Sequence, residues 1–386
     1  MRRVVITGIG AVTPLGLSFQ KSWEAMLEGR SGIGPSGRFR GLKWPNVGEI
    51  PELDLDAHFS RKEIMRNDRF VLLAAMAADE AVASSGLGAG PLNAAGVVMG
   101  SSRGGISRLE EAVTGRASAF LMSGTTISMA ASFISIRYGT RGHVLGISNA
   151  CSSGANAVGE AVRLIREGRA DTVLAGGAEA PLTPLCLRGY GASGALSGSG
   201  IMRPFDRRRD GFVLSEGAAV LVLEEREAAL RRGVSIYAEV AGYGNSSDAH
   251  HPTVPLGSGQ VAAITSALRE AGLASSDIGH ISAHATSTKK GDSAEAGAIR
   301  EIFGPELPPV SAIKSMTGHM LAASGAFEVA ATAKSLKEGV VPPTINAGEP
   351  EGGLDISALP REHSHSSALC HSFGFGGVNA VLALRL

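Results

Sequence analysis

An α/β fold with buried sheets is the architecture this chain predicts, on three observations. Short β-branched apolar runs alternate with longer helical patterns along the whole sequence, the mark of layered strands and helices. The 52 glycines stand singly between those runs and not in tracts, as tight strand-to-helix turns and close backbone approaches require. Of 386 residues, 44% are hydrophobic, enough for a large core in two domains or in one body built from two halves.

The first predicted element is a strand over residues 4–7, running into Gly8-Ile9-Gly10. Its basic lead, Met1-Arg2-Arg3, imitates a short signal peptide, but the apolar run breaks at glycine and turns at Pro14-Leu15-Gly16, so a strand is the better reading. Helical spacing follows over 19–27 and 69–84, then strands over 96–99 and 144–148, a helix over 152–167, and strands over 172–175 and 219–223. The second part offers strands over 237–242, 280–283, 310–313 and 380–384, with helices over 259–271, 293–303 and 325–337. Each part opens on a strand rich in glycine and carries a long helix. Each then reaches a strand presenting a reactive residue, Cys151 in one and His284 in the other. A duplicated core is therefore expected, divided as residues 1–235 and 236–386, with no Pro/Ser-rich linker between the parts.

Lys+Arg and Asp+Glu each number 36, which leaves no clustered basic excess for a nucleic-acid partner. Three cysteines make no disulfide framework and point to a reducing compartment. No apolar run approaches the roughly 18–20 residues of a membrane helix, so a soluble, cytoplasmic protein is expected.

The most informative stretch is Ile147-Ser148-Asn149-Ala150-Cys151-Ser152-Ser153-Gly154. It places a cysteine between a strand and a helix start, where free N–H groups and the helix dipole favour a thiolate. Two histidines lie downstream, His284 in His-Ala-Thr-Ser-Thr and His319 at the end of Lys314-Ser315-Met316-Thr317-Gly318. Metal binding fails on spacing, since no Cys-x-x-Cys or His-Glu-x-x-His occurs. A papain-like protease would carry its cysteine in a different motif near the N-terminus. His58, His143, His280, His363 and His365 carry no motif and are read as core or surface histidines. Acyl transfer suits the remaining pattern. Small hydroxyl residues follow His284, and Ser372-Phe373-Gly374-Phe375-Gly376-Gly377 reads as a flexible loop able to donate N–H groups and swing an aromatic gate.

These segments resemble the β-ketoacyl-acyl-carrier-protein synthases of the thiolase superfamily, the type II elongating enzymes and their polyketide relatives. The likeness runs from residues 4–10 through Arg203-Pro204-Phe205-Asp206, Arg209-Asp210-Gly211-Phe212 and Glu216-Gly217-Ala218 to the glycine loop. It implies a thiolase-like duplicated fold with a layered αβαβα core and mixed sheets. It also implies decarboxylative Claisen condensation of acyl carrier protein thioesters by a ping-pong route. Cys151 would take the acyl group, and His284 and His319 would stabilise the enolate formed when malonyl loses CO2. Backbone N–H groups of Cys151 and Phe375 would hold the tetrahedral oxyanion, with Gly374 and Phe373 in the gate. By the same resemblance Lys314 orients His284, and Glu328 anchors Lys314. Thr286 and Thr288 bind the phosphopantetheine arm, and His251 and Thr253 line the tunnel mouth. Lys62, Arg66 and Arg69, on one helix face, meet the acidic carrier protein, extended by Lys289 and Lys290. No intrinsic cofactor or metal is implied, the substrates arriving on 4′-phosphopantetheine. A homodimer is expected, a heterodimer with a ketosynthase-like partner being the alternative.

Some positions depart from that family. Arg103 stands at the acyl-pocket wall where a small or aliphatic residue is usual, implying a restricted acyl range or a polar acyl group. Ala285 replaces glycine, His371 replaces asparagine and Lys289 replaces proline, and the loops at 108–119 and 196–203 are short. These changes suggest a specialised branch, of a secondary pathway and not the housekeeping fatty-acid one. A non-catalytic scaffold subunit would lack Cys151, which this chain keeps. A thiolase would need a second catalytic cysteine, but Cys370 reads as a buried structural residue, as does Cys186. The initiating synthases use a Cys-His-Asn set, against which His319 argues.

Overall fold

The computed structural model describes residues 2–115 and 117–386; Met1 of the basic lead and Arg116 lie outside them, and the expected loop at 108–119 is in its first part the end of a helix, Ile106–Val113. One ten-stranded mixed sheet organises the chain. Its strands are Val4–Val12 (β1), Gly96–Gly100 (β2), Val144–Ile147 (β3), Thr172–Glu179 (β4), Gly217–Glu225 (β5), Ala238–Ser247 (β6), His280–Ser282 (β7), Val310–Ser311 (β8), Ser367–Gly374 (β9) and Val378–Arg385 (β10). The spatial order is β8-β7-β9-β10-β6-β1-β5-β4-β2-β3. Counted outward from the centre, each set of five runs first, fifth, fourth, second, third in its own chain order. Pairings repeat as well. In each set the inner two are antiparallel and the outer two parallel. An antiparallel pairing of β1 with β6, Val5 opposite Glu239 and Ile6 opposite Ala238, joins the sets.

Helices cover both faces, which is why the strands read as continuous apolar runs and not as alternating ones. The main helices are Phe19–Leu27 (α1), Arg61–Arg66 (α2), Arg69–Ser85 (α3), Ser153–Arg166 (α4), Gly257–Ala271 (α5), Lys289–Phe303 (α6) and Ala322–Glu338 (α7). Alternate residues of β5 divide between two cores: Ala219, Leu221 and Leu223 face α4 and α7, whereas Val220 and Val222 face α3. In the other set, Ala368 and Cys370 of β9 face the central helices and Leu369 faces the α5–α6 side. Cys370 is fully buried in this packing. Glycine permits the central contact, because a Cβ on Gly154 would run into the carbonyl oxygen of Ala322. Among the described residues no helix is long and apolar enough to cross a membrane.

The strand and helix positions follow the sequence pattern, with three local corrections. Only Val310–Ser311 of the 310–313 run is strand, because a short helix begins at Lys314. Helix α6 starts at Lys289, four residues before the apolar periodicity. The glycine segment is also more ordered than its composition suggests. Ser372, Phe373 and Gly374 continue β9 and pair with Ala380, Asn379 and Val378. Only Phe375, Gly376 and Gly377 form the turn, the last two at φ of 86° and 71°.

Candidate active site

The topology brings four chain segments to one cavity of about 490 Å³, lined by Cys151, His284, His319, Phe373 and Phe375 among others. Cys151 lies in a single 3-10 turn, Ala150–Ser152, leading into α4. His319 occupies the matching position ahead of α7, and His284 follows the end of β7. Ala150 before the cysteine has φ of 49°, and Leu321 before α7 has φ of 45°. Both are non-glycine residues in the left-handed region, which stores strain at the two helix starts.

Cys151 corrects the expectation of a depressed thiol. Burial pushes its pKa up to about 11, against the Lys314 cation and the Phe375 backbone N–H, which both favour the thiolate. Desolvation of the charged sulfur outweighs both. Cys151 rests as a thiol near neutral pH.

Both histidines are neutral, their pKa values pressed well below the usual imidazole value, first by burial and then by the Lys314 charge. Their tautomers follow from their neighbours. Lys314 Nζ lies 3.3 Å from His284 Nδ1. An ammonium can only donate, so Nδ1 accepts and Nε2 carries the proton. Ser324 Oγ accepts from the Met320 N–H at 3.0 Å and lies 3.3 Å from His319 Nδ1; it is buried and meets no other acceptor among the described residues, so its own proton goes to the ring. His319 Nε2–H is then a buried donor with no partner. The two rings meet edge to face at 5.6 Å. The site therefore presents two neutral N–H donors beside a buried sulfur.

Lys314 is 1% exposed and ion-paired with the equally buried Glu328. Burial raises the Glu328 carboxyl to about 7, opposed by Lys314. At the mouth, Thr286 Oγ1 and Thr288 Oγ1 stand 3.1 Å apart. His251 Nδ1 accepts from the backbone N–H groups of Thr253 and Val254, each at 3.1 Å. All four side chains, with Lys289 and Lys290, line the same cavity. Among the described residues no cluster of His, Cys, Asp and Glu forms a metal site.

Two expectations need correction. Lys62 and Arg66 lie on α2, but Arg69 opens α3 after the break at Asn67 and Asp68. Its guanidinium forks onto the buried Glu216 with two bonds of 2.7 Å. A side chain so committed holds the core to the helix and does not belong to a docking face. Arg103 is exposed and does not line the cavity. Its Nε donates to Tyr190 Oη at 3.0 Å, its guanidinium lies over that ring at 5.6 Å, and Tyr190 lines the cavity.

Sequence reasoning missed the carboxylates that hold the loops. Glu295 accepts the backbone N–H groups of His284 and Ala285 at 2.8 and 2.7 Å. Asp292, one turn earlier, accepts that of Phe205 at 2.7 Å, and burial raises its carboxyl to about 7. Three residues of the segments they restrain are non-glycine with positive φ: Phe205 at 60°, Ala285 at 30° and Ser287 at 64°. Glu179 gathers Ser101 Oγ and the N–H groups of Ser102, Arg103 and Ala322. The available signal was two acids, Asp292 and Glu295, three apart on a helix whose other buried positions are apolar.

A buried cysteine at one helix start, with neutral histidine donors beside it in a duplicated α/β body, defines an acyl-transferring condensing enzyme of the thiolase-like fold. The chain belongs to the β-ketoacyl synthase family: residues 1–229 match its N-terminal domain and residues 237–348 its C-terminal domain. A 3-oxoacyl-[acyl-carrier-protein] synthase 2 of Vibrio harveyi is 41% identical, the match covering 100% of this chain and 98% of that one. Among solved structures, the ishigamide ketosynthase/chain length factor is 33% identical with a TM-score of 0.93, covering 100% and 99%. A type II polyketide synthase acyl-carrier protein in complex with its ketosynthase bound to the hexaketide gives 33% and 0.91 over the same shares.

Proposed function

We propose that this chain condenses an acyl group held on Cys151 with malonyl-acyl carrier protein, releasing CO2 and 3-oxoacyl-acyl carrier protein. The observation that carries it is the convergence of Cys151, two neutral Nε2–H donors and the Phe375 N–H on one cavity. In the first half-reaction the Cys151 sulfur attacks the incoming thioester, loses its proton and expels the carrier thiol. The N–H groups of Cys151 and Phe375 hold the oxyanion. In the second, malonyl loses CO2, and His284 and His319 donate to the enolate oxygen. The carbanion then attacks the carbonyl carbon of the Cys151 thioester, the acyl C–S bond breaks, and the released sulfur takes up a proton from solvent to return to the thiol. No base is needed for that step, which fits rings that stay neutral.

The same reading assigns Thr286, Thr288, Thr253 and His251 to the phosphopantetheine arm. Phe373, Gly374 and Phe375 act as gate, Lys314 and Glu328 support His284, and no intrinsic cofactor is required. Lys62 and Arg66, with Lys289 and Lys290 at the mouth, form the carrier face. The halves divide at 235/236, and the active form is a cytoplasmic homodimer. The ishigamide ketosynthase/chain length factor structure keeps a heterodimer as the second reading. Intact-mass spectrometry after incubation with a panel of acyl-carrier proteins tests the assignment. One acyl mass is expected on the protein and none on Cys151→Ala. A protein that loads nothing, yet co-purifies with an active homologue, would be a scaffold subunit.

A further inference from the structure

A third histidine lies beside the catalytic pair, and the reaction just described gives it no work. His371 on β9 is fully buried, with 0% exposure. Its Nδ1 lies 3.0 Å from Glu295 Oε1, and its Nε2 has no partner. Its ring leans on Phe373 at 5.5 Å and 36°. The Glu295 carboxylate is thus shared by three groups: the N–H of His284, the N–H of Ala285 and the His371 ring. A carboxylate only accepts, so Nδ1 donates to it.

This geometry makes one short bridge. On one side Glu295 fixes the backbone of His284 and of Ala285, which sits at φ of 30° where an alanine is strained. On the other side His371 touches Phe373, two residues before the N–H that faces the Cys151 sulfur. Phe373 itself meets the His284 ring at 5.8 Å. We propose that His371 is a positioning residue for condensation, holding Glu295 so that the backbone carrying the His284 donor keeps its place. The inference rests on the condensing reaction above. It predicts a defect in the half-reaction that uses His284, not in the one that loads Cys151.

The test follows wild type, His371→Leu and His371→Asn in two assays. These are Cys151 loading from the best-loading thioester of the panel, by intact mass, and decarboxylation of malonyl-acyl carrier protein. Leucine fills the space without a donor, whereas asparagine restores one. Decarboxylation by His371→Leu is expected to fall about 30-fold with loading within about threefold, and His371→Asn to recover to within about threefold in both. Unchanged decarboxylation in His371→Leu overturns the proposal. So does an equal loss in both assays, or an asparagine variant as slow as the leucine one. If His371→Leu does not fold, Glu295→Gln takes its place and must show the same split, or the proposal fails. Wild-type protein that loads none of the panel refutes the condensing reading itself.

Discussion

Lys314 Nζ donates to His284 Nδ1 across 3.3 Å, between side chains that are 1% and 6% exposed as residues. That contact sets which ring nitrogen faces the cavity with a proton. Lys314→Met removes the donor, frees His284 to take the other tautomer and strips Glu328 of its cation. Malonyl decarboxylation is expected to fall about 100-fold. Unfolding free energy should drop by about 3 kcal/mol, because one partner of a buried pair is lost. Kinetics and denaturant titration of the same preparation check both.

The thiol gives a pH test with a definite sign. Burial raises the Cys151 pKa to about 11, so the thiolate fraction should rise tenfold per pH unit through neutrality. Iodoacetamide alkylation of Cys151, read by peptide mass, is expected to climb without a plateau from pH 7 to about 10. A rate that levels off above about pH 9 would show an ordinary thiol, and a plateau below about pH 8 a depressed one. Lys314→Met should lower the rate further, since the cation favours the thiolate.

Ala285 adopts φ of 30° in the segment that carries His284. Ala285→Gly removes the Cβ clash, and a gain of about 0.5 kcal/mol in unfolding free energy is expected, net of the larger backbone entropy of glycine when unfolded. Thermal melting of the pair measures it.

Arg69 and Arg66 separate structure from docking. Arg69→Ala leaves the buried Glu216 without its fork and should cost about 2–3 kcal/mol in stability. Arg66→Ala, on an exposed helix end, should leave stability within about 0.5 kcal/mol and raise KM for carrier protein. Equal effects on both measurements would remove Arg66 from the carrier face.

Arg103 acts on the cavity through Tyr190, whose hydroxyl and ring it holds. Arg103→Ile is expected to change which acyl chain lengths load on Cys151, read by mass across the acyl-carrier panel. An unaltered profile would assign Arg103 to the surface alone.

Much of the fold was legible because buried strands announce themselves by unbroken apolar runs. Helix α1 coincides with its sequence pattern, and α3, α4, α5 and α7 fall within a few residues of theirs. Ser372–Gly374 was not legible as strand, since glycines read as flexibility until β10 lies beside them to pair. Arg69 looked like a free cation for a similar reason, its partner Glu216 being 147 residues away along the chain.

The sequence by itself determined the residue types and their local settings. It supplied a cysteine at a strand–helix junction, histidines after a strand and before a helix, and the duplicated order of elements. Those are short-range properties, set by periodicity and turn chemistry. Tertiary structure alone decided the state of each group. It made the Cys151 sulfur a thiol, kept His284 and His319 neutral with their Nε2 protons inward, and placed Glu295 between His284 and His371. Desolvation and hydrogen bonding depend on what surrounds a side chain in space, and those neighbours come from the other half of the chain or from distant loops.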